Sequence, residues 1–380
     1  MSQTRTPDDL SSADVVDETT DDVVDETAVR TKSAETSVTT EKAEKRTTAR
    51  QGGTPLGATA RRVAAVVLAV AVTQAVLALL FAWPAGQATP HGVPIAVAGP
   101  ALMAEAGARS LEKSPPGGFT VTRLTDLAAA KAAIMQRRVY GAVVIEDQGL
   151  RLLVASGASP AIAQQLVQAL DAVQARAQGT TLQVEDLAPT PSRDPRGLVP
   201  GTALLALLIT SIGGGYLIFS RLTGPAERIA GLIGLAGAAG AAGELVLHGV
   251  LGALEGPVPA EAAVVGLVVL AAAAATTAFG VIADTAGIAL AAVLVVAVGY
   301  PISGAISAPE LVPAPWGAVG RMLPAGAGST ALRSVAFFDG AGATVPLIVL
   351  SGWSLLALGI IAAPGLLDAA VRRRAALGTP

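Results

Sequence analysis

The chain has no cysteine, only two histidines, and few aromatic residues, which fill 3% of its 380 positions. Without cysteine there are no disulfides, thiolate metal sites or cysteine nucleophiles. The histidines, His91 and His248, are far apart in sequence and give a metal-hydrolase reading little to work with. Charge is scarce too. Asp, Glu, Lys and Arg make up 14% of the chain, against about 25% in an ordinary soluble domain, so its surface cannot all face water. There is no G-x-x-x-x-G-K-S/T phosphate loop, so the chain cannot cradle and hydrolyse ATP by itself. No nucleophile–base pair, metal-ligand cluster or cofactor fingerprint stands out, and the chain is not expected to be an enzyme. No basic stripe suggests a nucleic-acid partner.

What is present is apolar: 52% of the residues are hydrophobic. The charges are segregated. Residues 1–60 carry 12 Asp/Glu and 7 Lys/Arg, leaving 36 charged residues among the other 320. The first 60 residues are rich in Thr, Ser, Asp and Glu. They contain a short repeat in which Asp14-Val15-Val16-Asp17-Glu18-Thr19 returns as Asp22-Val23-Val24-Asp25-Glu26-Thr27. Such a segment cannot bury enough surface to offset its chain entropy, so a disordered cytoplasmic tail is expected. Its basic second half ends at Arg61-Arg62, where it can meet anionic lipid.

Residues 63–83 form an uncharged apolar run that only Thr73-Gln74 interrupts. At 1.5 Å per residue it can cross a hydrocarbon core of about 30 Å. With some 60 residues ahead of it, an uncleaved anchor (61–83) is expected. Residues 84–197 have ordinary polar composition. Strands are expected at Val93–Ala98, Phe119–Leu124, 139–145, 150–155 and Thr181–Asp186. Helices are expected over 126–138 and from Ser159-Pro160 to about 177. Glu146-Asp147-Gln148-Gly149 reads as the turn between the third and fourth strands. The segment is read as an α/β domain.

Five further spans are expected at about 198–220, 229–253, 262–283, 286–306 and 344–366. The expected fold is thus a six-helix membrane bundle over 61–83 and 198–370, with an inserted extracytoplasmic α/β domain. Basic residues orient it. Arg61-Arg62, Arg221 and Arg228, and Arg372-Arg373-Arg374 fall on one side, while the loop at 254–261 holds Glu255 and Glu261 and no basic residue, which places both termini, including a tail at 371–380, in the cytoplasm of a plasma-membrane protein. Arg321 and Arg333, in the outer segment between the last two spans, run against this rule.

Several features interrupt the bundle. Glycines recur every third residue from Gly231 to Gly243, and Gly213-Gly214-Gly215 marks a flexible point or a close helix crossing. Glu244 and His248 lie four apart on one helix face. An ionisable pair in a span suggests a proton relay or a cation site, or else a simple hydrogen bond near the headgroups. Tyr300-Pro301-Ile302-Ser303-Gly304 should break the fifth span after Gly299. The stretch 307–343 is too interrupted to span and too apolar for an ordinary loop. It reads as re-entrant, with short helices near 316–323 and 329–337, and as the border of a transport path.

Three stretches together resemble a known family: Arg137-Arg138-Val139-Tyr140-Gly141-Ala142-Val143-Val144, the Tyr300–Gly304 break, and Leu323-Pro324-Ala325-Gly326-Ala327-Gly328 followed by Phe337-Phe338-Asp339-Gly340. In this order, across about 63–370, they resemble the permease subunits of type-2 ATP-binding-cassette exporters, in the phage-infection-protein-like branch. Tyr300 stands where that family usually has a polar residue. The resemblance implies a homodimer or heterodimer with a related permease, driven by a cytoplasmic ATPase subunit. ATP would be bound there, with no cofactor on this chain. The transport path would border Tyr300, Pro301, Ser303, Gly304, Arg321, Arg333 and Asp339, and Arg221 and Arg228 are the candidate ATPase contact. The Ala, Gly, Val and Leu lining suits a hydrophobic or lipid-like cargo and contact with membrane lipids. The competing expectation is a membrane scaffold, secretion-assembly component or surface receptor that uses the external domain as its binding module.

Overall fold

The computed structural model describes residues 55–86, 89–113, 117–146, 149–174 and 181–376. Most of the expected disordered tail, including the acidic repeat, lies outside the described residues, as do Asp147 and Gln148 of the expected turn. The described residues fall into two units, divided between Thr73 and Gln74.

Helix α1 spans Pro55–Gly86. It begins earlier than the apolar run because proline suits the first helical turn. Within 74–380, the α/β part is a five-stranded sheet. Its strands are β1 (Val93–Ala98), β2 (Phe119–Leu124), β3 (Gly141–Glu146), β4 (Gly149–Val154) and β5 (Thr181–Asp186), in the order β2-β1-β3-β4-β5. All five expected strands are present. The pairs β1–β2, β1–β3 and β4–β5 are parallel and β3–β4 is antiparallel. Helices α2 (Ala101–Glu112), α3 (Leu127–Met135) and α4 (Pro160–Gln174) connect the strands. The first of these was not expected: its fully buried residues, Ala104 and Ala108, are alanines, while Leu102 and Met103 are exposed. Helix α3 is capped by Asp126, whose carboxylate accepts the Ala129 N–H at 2.8 Å.

Strand alternation divides the core. Val93, Ile95 and Val97 point to one face, with Ala104, Ala108, Ile162 and Leu166. Ala96 and Ala98 point to the other, with Ala130, Ala133 and Ile134. A central strand buried on both faces reads as a continuous apolar run, as β1 does.

Helices α5 (Val199–Arg221), α6 (Pro225–Glu244), α7 (Val258–Ala292) and α11 (Thr344–Ala376) make the bundle. Helix α6 continues as a π-helix over Leu245–Val250, and α7 as another over Val293–Val298, followed by α8 (Gly299–Ile302). The segment 307–343, called the outer segment below after its expected position, holds a 3-10 turn at Pro309–Leu311, then α9 (Trp316–Arg321) and α10 (Pro324–Phe337), close to the two expected short helices. Helix α11 runs on to Ala376, past the expected boundary at 370.

Among the described residues, five helical stretches are long and apolar enough to cross a membrane: Thr59–Pro84, Val199–Arg221, Pro225–Val250, Val258–Ile302 and Thr344–Gly365. The chain is a multi-pass membrane protein. Expectation and structure differ in count because Val258–Ile302 is one 45-residue stretch. It is not straight. Ala283 (φ −138°, ψ 22°) and Asp284 (φ 52°, ψ −137°) leave helical geometry. A Cβ added at Gly287 would collide with the Phe279 carbonyl, and one at Gly280 would lie 3.2 Å from Ile288. In a continuous helix, residues eight apart are separated by about 12 Å, so the chain turns back at 283–284, between the two expected spans.

Helix α7 is the centre of the bundle. Its Ala271–Ala275 run is buried. Such small side chains let neighbouring backbones approach. A Cβ at Gly215 of α5 would meet the Ala273 carbonyl at 2.6 Å, and Thr277 Oγ1 donates to the Gly215 carbonyl at 3.1 Å. The triple glycine therefore marks a close crossing. Large apolar side chains point outward from the bundle, among them Ile209, Leu217, Ile233, Leu290, Ile348 and Leu355, as a lipid-facing surface requires.

Candidate functional site

Two polar constellations occur in and beside the bundle. The first lies where the outer segment meets the α/β part. Ala308 and Leu311 enter the core on one face of the sheet, and Phe338 enters the core on the other. Sheet and outer segment therefore share hydrophobic interior. Polar ties reinforce this. Arg137, at the end of α3 and in left-handed backbone (φ 55°), donates to the Thr330 carbonyl at 3.0 Å and to Ser334 Oγ at 2.6 Å. Its guanidinium lies 5.2 Å from the Phe338 ring centre. The Tyr140 hydroxyl donates to Glu310 Oε2 at 2.8 Å, and Arg321 donates to Glu310 Oε1 at 2.9 Å. Burial and the Glu310 carboxylate push the Tyr140 phenol upward, so it stays protonated. These groups border a cavity of about 160 Å³ lined by Arg137, Tyr140, Glu310, Arg321 and Thr330.

Arg333 was expected at a transport path. It is 4% exposed and donates to the carbonyls of Gly157, Gly197 and Ala305 at 3.2, 3.2 and 3.3 Å. It joins the sheet's β4–α4 loop, the lead-in to α5 and the outer segment, and does not face an open passage. Burial, with repulsion from Arg137, pulls its pKa down to about 10, which leaves it charged at neutral pH. Both arginines that run against the charge rule are thus satisfied within the protein, one by carbonyls and one by Glu310.

Of the other expected path residues, the Tyr300–Gly304 stretch packs against Gly320, the neighbour of Arg321. Tyr300 is buried, donates to the Gly201 carbonyl at 3.0 Å and stacks 6.2 Å from the Phe81 ring. Pro301 does not end the helix, which persists to Ile302 with the π turn just before it. The break comes at Ser303-Gly304. Ser303 Oγ donates to the Tyr300 carbonyl and accepts from Ala305 N–H. Gly304 (φ 67°) makes the turn, where an added Cβ would collide with Ala308. Asp339 is exposed in the turn after α10. Arg221 is exposed. Arg228 folds back, donating to the Leu222 and Phe219 carbonyls at 2.8 and 3.1 Å, and so caps the end of α5.

The second constellation contains the expected pair. His248 Nδ1 lies 3.3 Å from Glu244 Oε1. It also lies 3.0 Å from Glu261 Oε2 of α7, a residue that sequence reading treated only as a loop charge. Glu261 Oε1 accepts the Gly256 N–H at 2.7 Å. Among the described residues, neither oxygen of Glu244 has a hydrogen-bond partner. Spacing revealed the i, i+4 pair; the third member comes from the start of another helix, thirteen residues beyond His248, where no local period signals it. Sequence reading also missed Glu310, whose role depends on the fold of the outer segment.

No known family model matches the chain, and neither a curated protein nor a solved structure is significantly similar to it.

Proposed function

We propose that the chain is the membrane-spanning permease subunit of an exporter in the plasma membrane, energised by a separate ATPase and moving a hydrophobic or lipid-like substrate. In this reading the bend at Ala283–Asp284 divides Val258–Ile302 into two crossings, giving six. Both termini and the Arg221–Arg228 turn are cytoplasmic, and 84–197 is outside. The observation that carries the reading is the shared core of the sheet and the outer segment. Ala308, Leu311 and Phe338 pack into the sheet's two faces, and Arg333 ties the same units through three carbonyls. Rocking of the bundle helices would therefore move the external domain together with the outer segment.

One observation favours the alternative of a non-transporting scaffold. The turn between α5 and α6 is only Leu222–Gly224, and Arg228 is spent inside it, which leaves a small surface for an ATPase to grip. Gentle extraction from the native host followed by mass spectrometry separates the two. The permease reading expects a co-purifying ATPase and a nucleotide-dependent change in cross-linking at Arg221. The absence of any ATPase refutes it and favours the scaffold.

A further inference from the structure

We propose that Glu244, His248 and Glu261 form a binding site for a single divalent transition-metal ion, Zn2+ best of all, at the end of the bundle that carries the outer segment. Their ligand atoms all lie within 4.8 Å of one another. A tetrahedral ion with bonds of about 2.0–2.1 Å holds its ligand atoms about 3.3 Å apart. The separations from His248 Nδ1, 3.3 Å to Glu244 and 3.0 Å to Glu261, need almost no adjustment to meet this.

The protein alone leaves the site unbalanced. One Nδ1–H can serve one carboxylate, and it serves Glu261. Glu244, whose side chain is 6% exposed, is left with two orphan oxygens, one of them in the cluster, an arrangement that costs free energy in so dry a place. Among the described residues, the ion pairs of both carboxylates run only to His248, so with both carboxylates ionised even a charged imidazole leaves an excess negative charge. A dication bound by the Nδ1 lone pair and one oxygen from each carboxylate removes both defects. It requires Nδ1 to give up its proton, and the remaining ring proton then sits on Nε2. One imidazole nitrogen with two carboxylates suits zinc. Ca2+ takes six or more oxygens, and Mg2+ needs octahedral oxygen ligands.

The surroundings also resemble those of metal sites. The Gly256 N–H fixes one oxygen of Glu261 and turns the other to the cluster, as outer groups orient metal ligands. An added Cβ at Gly256 would collide with the Val335 carbonyl, so loop 251–257 is pressed against α10. The π-helix over Leu245–Val250 begins directly after Glu244 and contains His248, and such widened turns recur at functional sites. His248 is 34% exposed on its side chain while Glu261 is fully buried, so an ion can enter past the imidazole. The proposal holds whether or not the chain transports anything.

The test uses the untagged full-length chain in nanodiscs, stripped with a chelator and then titrated with ZnCl2. The wild type is expected to retain about one zinc per chain and to unfold at a higher temperature with zinc than without. Glu244→Gln is expected to stay folded, because Glu244 makes no hydrogen bond that glutamine would lose. It should bind zinc at least about 100-fold more weakly, since outer groups alone cost 10–100-fold, and lose the zinc-dependent thermal shift. His248→Gln should do the same, while His91→Gln should bind as the wild type does. Zinc affinity unchanged in both Glu244→Gln and His248→Gln, a wild type with no stoichiometric zinc, or preference for CaCl2 or MgCl2 over ZnCl2 would overturn the proposal.

Discussion

Replacing Arg333 with methionine tests whether the sheet and the outer segment are held together from within. The side chains are similar in length, so packing volume is largely kept and the charge is removed. Arg333 makes three hydrogen bonds to carbonyls, each worth about 1.5–3 kcal/mol when one partner is charged. Against this stands the cost of burying the charge. A pKa pulled down from the ordinary arginine value to about 10 corresponds to roughly 3 kcal/mol. The net loss on substitution is therefore roughly 2–6 kcal/mol, and three buried carbonyls are left without donors. Arg333→Lys keeps the charge but lacks the planar fork that reaches three acceptors, so it should fall between the two. In nanodiscs, hydrogen–deuterium exchange should rise in peptides covering Gly157, Gly197 and Ala305, and the unfolding temperature should fall in the order wild type, lysine, methionine. A methionine variant with wild-type unfolding temperature and exchange would refute the account of Arg333 as a tie.

Tyr140→Phe removes the bond to Glu310 and should cost about 1.5–3 kcal/mol; in a double-mutant cycle with Glu310→Gln by thermal unfolding, the losses should be non-additive. The glycine stripe should split in two. An added Cβ at Gly240 meets the Ala262 carbonyl at 2.5 Å, while nothing lies within 4 Å of one at Gly234. Gly240→Ala should destabilise, and Gly234→Ala should stabilise by about 0.5–1 kcal/mol through helix propensity; equal effects would reject the α6–α7 crossing. Glu185 is held below its usual pKa by the Lys131 hydrogen bond, and Asp126 by the Ala129 N–H. A lowered folded pKa gives stability that is present above the unfolded value near 4 and lost as pH falls through the folded value. Exchange protection of β5 and α3 should thus decline below about pH 4, and Glu185→Gln should flatten that decline for β5.

Periodicity and composition made the elements readable. The run at 63–83, the five strands and the short helices of the outer segment follow from local apolar spacing and from Pro and Gly, which act within a few residues. The sequence also located the turn between the limbs of Val258–Ile302, and it placed Glu244 and His248 on one face. What it could not supply was partnership. Arg321 and Arg333 read as stray charges at a mouth because their partners, Glu310 and the carbonyls of Gly157, Gly197 and Ala305, lie 11 to 176 residues away. Tyr300-Pro301 reads as a break. The helix in fact survives to Ile302, because the preceding π turn absorbs the change in hydrogen bonding and Tyr300 is anchored to Gly201. Glu261 read as a loop charge and became the third corner of a site. Each of these outcomes depends on which desolvated polar groups meet once the chain is packed. The sequence by itself determined a multi-pass membrane chain with an α/β insertion, because burial in lipid or in a sheet imposes its pattern residue by residue. Only the tertiary structure decided that the insertion shares its core with the outer segment and that two carboxylates converge on one imidazole, because such contacts join residues whose spacing in the chain carries no local signal.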